Sequence, residues 1–578
     1  MKKISDFFKI TNIINRSFFS NTKKQETNSK ENNNNELIIG EYSFDLKKIV
    51  RYLEQDMKDD WFKDPLLYED KFDKKEIKEY FDENVNKNSG VYLPKKRVLL
   101  NIPKKQGTLR YALETNFFDR IAYHTFGLIL IENLDPLVSC RVLSHRFVKN
   151  DYKNKRNRYL FYNSIEQWKK FEEYIKIDAD DKCLLFTDIQ NYFENINLTK
   201  LTKILKDNLK FLEVEETKLP QINYCIDSIM KSLIEWSYNG ESGLPQNRDI
   251  SSFLANMYMK PIDDKLINEG FDYYRYMDDI RIICKDKFEA RKALKILCHE
   301  LRKLNLTLNG KKTEILENGS DSYINFTKNN SLDLERIDAM YKSKKKSIVA
   351  LAFKDTKEGI EECIEKNDFE SREFRFYVNR ISKIALCKDI EKPDDYFDLI
   401  KDKIFDAIID FPVNTDYLYN LLISVDLNKS EIVKIKNYIV DSCKSIYSWQ
   451  NYLLWKVLIM QDQFDPIFLE KAIEILKTDE RDAMICGALL YVGKNGSNEH
   501  RKLILKSINK DDSFMVQRHK IIAIQKLKYF EIKSKENLIF KENKNCYRKL
   551  KQKNGDQYLV LPKEIKYYDL IKEVGFYV

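Results

Sequence analysis

The sequence predicts a mixed α/β unit followed by an all-α region, on three observations. Between about residues 91 and 330, short apolar and β-branched runs alternate with stretches of helical periodicity. After about residue 331 the strand signals nearly vanish. From about 413 helical pairs recur, with unit starts near 413, 447, 480 and 513, a spacing of roughly 33 residues. That spacing fits a short α-solenoid, with an irregular helical bundle as the alternative.

At 578 residues the chain exceeds one ordinary core, so two or three domains are expected. No apolar run approaches the length of a membrane span, and no signal peptide with a small-residue cleavage site is visible. The ten cysteines form no C-x-x-C pair and the five histidines do not cluster. Structural zinc and a disulfide framework are therefore disfavoured, and a reducing cytoplasm is expected. A net charge of +9 permits a nucleic-acid partner, and a merely solvated surface explains it equally well.

Residues 1–36 are read as an N-terminal helix and a polar linker. Ile4, Phe7, Phe8, Thr11, Ile14 and Phe18 fall near helical spacing, an amphipathic helix expected to dock on the protein rather than on a membrane. Residues 20–36 are almost without apolar side chains. Residues 37–90 read as a helical extension interrupted at Pro65, residues 91–330 as the α/β unit, and residues 331–578 as helical with a basic, tyrosine-rich tail. The run "KSKKKS" (342–347) is a solvated face or a nucleic-acid backbone contact.

Two stretches carry chemistry. In "FDYYRYMDDIRIIC" (271–284), Phe271–Tyr276 and Ile280–Cys284 read as strands, with Asp278 and Asp279 at the tight connection. Adjacent like charges at a hairpin tip are costly unless a cation sits there, and a divalent metal is the simplest candidate. In "KCLLFTDIQNYFENINL" (182–198), Cys183–Phe186 reads as a buried strand with Asp188 at its carboxyl end and a helix start after it. Three converging acids suit two Mg²⁺ ions roughly 3.5–4 Å apart, which activate a hydroxyl and neutralise leaving phosphates.

Tyr276–Asp279 (YMDD), preceded by "TDIQNYF", resembles the paired metal motifs of reverse transcriptases. The other motifs of that family follow in order: "NIPKKQGTLRYAL" (101–113), "FDRIAYH" with "SCRVLSHRF", "GLPQNRDISSFLANMYMKPID" (243–263) and "LNLTLNGKKTEI" (304–315). The resemblance implies an α+β right-hand palm and fingers over roughly 90–330, followed by an all-α, HEAT-like helical repeat domain. It implies Asp188, Ile189, Asp278 and Asp279 as the metal site for Mg²⁺, with Mn²⁺ as a substitute. Lys104, Lys105, Arg110, Phe193, Gln246 and Lys312 would bind the incoming dNTP, Phe193 as the gate against a ribose 2′-hydroxyl. Tyr276, Met277 and Arg146 would meet primer and template. Asn247 departs from the glycine usually following "LPQ", which bears on template geometry.

Nothing after 330 resembles an RNase H acidic cluster or an HNH nuclease, and the Val-Thr-Gly triplet of retron enzymes is missing. A palm with a long helical carboxyl-terminal region resembles the abortive-infection reverse transcriptases of bacteria. That resemblance implies antiphage defence in the bacterial cytoplasm, homo-oligomers, priming from a protein hydroxyl, and DNA synthesis that is untemplated or copied from a non-coding RNA. The alternatives are a conventional RNA-templated enzyme of a genetic element and a non-catalytic, nucleic-acid-binding scaffold.

Overall fold

The computed structural model describes residues 35–570 apart from 69, 71–72, 89, 150–158, 175–181, 324–330, 344, 391–396, 462–463, 553–555 and 567–568. The helix expected near the N-terminus and the end of the tyrosine-rich tail lie outside the described residues. The 37–90 extension, expected to be helical, opens on a hairpin of β1 (Glu36–Ile39) and β2 (Tyr42–Asp45). Strand alternation buries Leu37, Ile39 and Phe44, a period-two signal too short to read against the helical texture downstream. Asp45 then caps α1 (Leu46–Asp56) by accepting from the Lys48 amide, and α2 (Lys74–Asn84) follows.

A second hairpin, β3 (Val98–Pro103) with β4 (Leu109–Glu114), forms the fingers, followed by α3 (Phe117–Leu134) and α4 (Ser164–Glu173). The palm sheet comprises β5 (Cys183–Asp188), β6 (Asp272–Tyr276), β7 (Asp279–Cys284) and β8 (Glu314–Glu317), in the order β6-β7-β5-β8 and antiparallel throughout. Between β5 and β6 run α5 (Tyr192–Asn195), α6 (Leu198–Asn208), α7 (Leu219–Trp236) and α8 (Asp249–Asn268). The helix α9 (Lys287–Lys303) follows β7. Alternation along β7 sends Ile280, Ile282 and Cys284 into the core beneath these helices. Asp279, Arg281 and Ile283 are left on the other, half-buried face, in register with Asp188, Phe186 and Leu184.

Beyond the palm the described secondary structure is helical: α10 (Ser331–Tyr341), α11 (Lys346–Glu365), α12 (Arg372–Ala385), α13 (Asp398–Asp410), α14 (Thr415–Leu422), α15 (Lys429–Val440), α16 (Ser448–Met460), α17 (Pro466–Thr478), α18 (Asp482–Asn495), α19 (Asn498–Lys506), α20 (Phe514–Ala523), α21 (Tyr529–Lys533) and α22 (Lys541–Gln552). Here α14, α16, α18 and α20 pack in succession, beginning at residues 415, 448, 482 and 514, with α15, α17 and α19 each against the next inner helix. Helices α16 and α18 are buried along most of their length, as their largely apolar sequences require, with Gln450, Asn451 and Lys456 of α16 among the buried residues.

The fingers hairpin is divided between two cores, with Leu113 of β4 in the palm's core. Val98, Leu100, Ile102 and Ala112 pack into the core of the helical region together with Phe62 and Leu66. The connecting segment 56–70 rivets the two bodies with buried acids. Asp60 accepts from Arg120 of α3 in two bonds of 2.6 Å and also from Arg248, at the start of α8. Asp64 and Asp70 both accept from Arg518 of α20, at 2.9 Å and 2.7 Å to its Nη2. Buried arginines shared between two carboxylates hold a fixed geometry, because losing either partner strands a charge out of water.

Candidate active site

The strand register assembles the acids. Asp188, the last residue of β5, lies directly opposite Asp279, the first of β7. Asp278 occupies the two-residue turn of the β6–β7 hairpin beside it, and its carbonyl accepts from the Ile189 amide at 3.3 Å. Burial, then Asp279 and Asp188, push the Asp278 carboxyl up to about 6, and burial and Asp188 also raise Asp279. Lys312 donates to Asp188 Oδ2 at 2.7 Å, and Asn309 fixes the same residue through its backbone amide at 2.8 Å. Burial alone would lower the Lys312 ammonium, but the Asp188 hydrogen bond and the three carboxylates raise it.

Among the described residues no group of three or more His, Cys, Asp or Glu side chains is closed up into a metal site. The donor chemistry nevertheless fits a divalent cation. Two half-buried carboxyls are raised by burial and by the charge of neighbouring carboxylates, Asp279 and Asp188 acting on Asp278 and Asp188 on Asp279, a condition that a hard cation with oxygen ligands relieves. Asp188, Asp278 and Asp279 are the side chains that would hold it.

A buried network beneath the turn explains how the hairpin tip is held. Met277 has a left-handed φ of +58°, uncommon for a residue with a Cβ. Its amide donates to Ser144 Oγ at 2.8 Å and its carbonyl accepts from Arg275 Nη1 at 2.8 Å. Arg275, fully buried, also donates to Asp263 at 2.8 and 2.7 Å and to Asn256 Oδ1 at 2.9 Å. Sequence reasoning missed Ser144, Asn256, Asp263 and Arg275. The signal was present as an arginine at an inward-facing strand position, where only a buried partner makes it tolerable.

The other expected residues divide into groups. Lys104 is near the palm, but its ammonium is engaged by Glu194 Oε1 at 3.1 Å and Asn191 Oδ1 at 3.2 Å. Lys105 is exposed on the fingers turn. Arg110 stacks over Trp61 at 5.7 Å and feels the charge of both Asp278 and Asp416 of α14. Phe193 is half-buried in α5, edge-on to Tyr192, and its carbonyl accepts from Leu244 at 2.9 Å, which ties it to the Gln246 turn. Gln246 is half-buried beside Asn247, whose φ of +57° accounts for the departure from glycine. Asparagine is among the few side chains that tolerate that conformation, so the backbone of the turn is retained.

Of the residues expected at primer and template, Arg146 is engaged within the fold: its guanidinium binds Asp135 Oδ1 at 3.0 Å and the carbonyls of Val138, Ser139 and Val142 at 2.6–3.0 Å. Its donors are spent within the fold, anchoring the loop after α3. Met277 is 8% exposed, so its side chain supports the turn from inside. Tyr276 is wedged against Trp168 of α4 at 5.0 Å, and its hydroxyl donates to the Ser164 carbonyl at 3.2 Å.

Comparison with known proteins follows this geometry. A family model described as "Reverse transcriptase (RNA-dependent DNA polymerase)" matches residues 128–355, which includes all three carboxylates. No curated protein matches. Among solved structures, telomerase from Candida tropicalis in complex with a TWJ fragment of telomeric RNA is 14% identical over 69% of this chain and 67% of that one, with a TM-score of 0.31. The apo telomerase of the same organism is 13% identical over 69% and 70%, with a TM-score of 0.29. No helix among the described residues is long and apolar enough to cross a membrane. With the three carboxylates assembled at the end of an antiparallel palm, residues 128–355 carry a reverse transcriptase domain, which indicates an RNA-directed DNA polymerase.

Proposed function

We propose that the chain is a Mg²⁺-dependent polymerase that makes DNA from dNTPs in bacterial antiphage defence. The observation that carries the polymerase reading is the register of Asp188 against Asp279, with Asp278 at the adjoining turn and Lys312 alongside. When bound, divalent metal ions lower the pKa of the attacking hydroxyl and neutralise the leaving pyrophosphate. The protein's own part is positional. Asp188, Asp278, Asp279 and the backbone at Ile189 hold the ions, and Lys312 offers its charge to the leaving phosphates. Lys104 and Lys105 meet the triphosphate, Lys104 after release from Glu194. Arg110 contributes a planar fork of donors, and Gln246 and Phe193 border the sugar and base. Phe193, held by Tyr192 and Leu244, excludes a 2′-hydroxyl and so favours dNTPs.

Support for the defence role is the combination of this palm with a helical region from α10 to α22. On this reading synthesis is untemplated or copied from a non-coding RNA, a protein hydroxyl is the primer, and the active form is a homo-oligomer. The test supplies labelled dNTPs and Mg²⁺ without template or primer, and runs the products on a denaturing gel before and after protease. Protease-sensitive label that disappears in Asp278→Ala/Asp279→Ala, together with a drop in phage plaquing that needs the same residues, supports the proposal. Extension only of an added RNA–DNA primer–template sinks the defence reading in favour of a conventional enzyme.

A further inference from the structure

Between the fingers and the helical region lies a cavity of about 460 Å³. Arg110 and Trp61 form one wall, and Arg372, Arg375, Asp416 and Tyr417 of α12 and α14 form the other. None of the three arginines makes an ion pair among the described residues, in contrast to the buried arginines of the fold, Arg120, Arg248, Arg275 and Arg518. Burial lowers the Arg110 guanidinium, Asp416 and then Asp278 act to raise it, and Arg375 opposes them. The one acid on the wall, Asp416, is raised by burial and is the largest opposing charge acting on Arg110, so a single carboxyl faces three guanidinium groups. Arg372 and Arg375 are exposed and Arg110 is half-buried, so three guanidinium groups around one cavity outnumber its single carboxyl and leave donors open to a polyanion.

We infer that Arg372 and Arg375 of the helical region complete the binding site for the triphosphate of the incoming nucleotide, with Arg110 shared between the two bodies. The inference rests on the polymerase reading above and extends it, because the nucleotide site is then unfinished without the helical region. The volume suits one nucleotide rather than a strand. Arg110, on the cavity wall, also feels the charge of Asp278, which couples this cavity to the metal-binding turn. The fingers are held in place for this task. The turn at Lys105–Gly107 touches the turn at Pro412–Asn414, and a side chain at Gly107 would meet the Tyr447 hydroxyl at 3.5 Å. A second cavity of about 540 Å³ shares Asn379, Tyr417 and Asn420 with the first and carries Lys58, Lys63 and Lys383. It provides the control position.

The experiment titrates inorganic tripolyphosphate into the full-length protein by calorimetry, and in parallel measures KM and kcat for dNTP incorporation. Each is run on wild type, Arg372→Ala, Arg375→Ala, Arg375→Gln and Lys383→Ala, with unfolding midpoints recorded. Charge-assisted contacts of this kind set the expectation. Each arginine variant should weaken tripolyphosphate about tenfold or more and raise KM by a similar factor with kcat held, while Lys383→Ala leaves both unchanged. Wild-type tripolyphosphate affinity in the arginine variants overturns the inference. So does loss of single-stranded oligonucleotide binding with tripolyphosphate binding intact, which makes the cavity a strand site. If no variant and no wild type incorporates dNTP, the polymerase reading fails, while the calorimetry still decides whether the arginines bind a triphosphate.

Discussion

The two ends of one hairpin treat charge in opposite ways. Beneath the turn, Arg275 and Asp263 are fully buried and matched by two hydrogen bonds, with Asn256 and the Met277 carbonyl taking further guanidinium donors. At its tip, Asp188, Asp278 and Asp279 crowd together with Lys312 as the one cation bonded to them among the described residues. The matched set fixes the shape of the turn. The unmatched set stores electrostatic repulsion where a cation is to bind. Paired buried charge is therefore read as scaffold and the crowded acids of the tip as site. Arg110, half-buried, and Arg372 and Arg375, exposed, differ from the buried and paired Arg518 in making no ion pair among the described residues.

Substitutions at the two ends should part company most clearly in activity. Asp278→Asn is expected to reduce dNTP incorporation by about a thousandfold or more, measured at saturating Mg²⁺, because the charge that holds the metal ions is halved at the turn. Asp263→Ala acts on folding instead. It strands Arg275 in the core and should cost about 3–5 kcal/mol in denaturant unfolding, a loss that paired replacement of Asp263 and Arg275 by apolar residues should largely recover. Equal stability of Asp263→Ala and wild type would break the comparison.

The sign of the stability effect reverses at the tip. A carboxyl raised to about 6 in the folded state is penalised at every pH above that value, and the penalty fades as pH falls toward the unfolded value. In metal-free protein, Asp278→Asn should therefore gain up to about 2–3 kcal/mol at pH 8 and nothing at pH 4, read from unfolding midpoints. By the same linkage, Mg²⁺ affinity should weaken as pH drops through about 6. The smallest effect is selectivity. Phe193→Ala is expected to relax discrimination against ribonucleotides by roughly ten- to a hundredfold, scored as the ratio of kcat/KM for dNTP and rNTP.

The tip was readable in the sequence and the scaffold beneath it was not. Asp188 ends an apolar run and Asp278–Asp279 interrupt a pair of β-branched runs, so local pattern alone put all three at strand ends. The inner helices were legible for a similar reason: the sequences of α16 and α18 are largely apolar, and their starts at 448 and 482 fall within two residues of the expected 447 and 480. What escaped is set by distant pairing. Arg275 meets Asn256 and Asp263 only once α8 lies under the sheet, and Arg146 turns inward because the chain after α3 folds back upon it. The segment 56–70 looked like broken helix, and its acids gain meaning only beside Arg120, Arg248 and Arg518. Nor does any local signal say that β3, with its alternating apolar face, belongs to the helical core.

The central claim, that the unmatched carboxylates at the hairpin tip are the catalytic centre, meets its most direct test in single-nucleotide incorporation. Wild type, Asp278→Asn and Lys383→Ala would be compared with labelled dNTP and Mg²⁺ at a temperature where all three are folded. The account predicts that Asp278→Asn loses incorporation while remaining at least as stable as wild type, and that Lys383→Ala retains it. Incorporation by Asp278→Asn at the wild-type rate would contradict it.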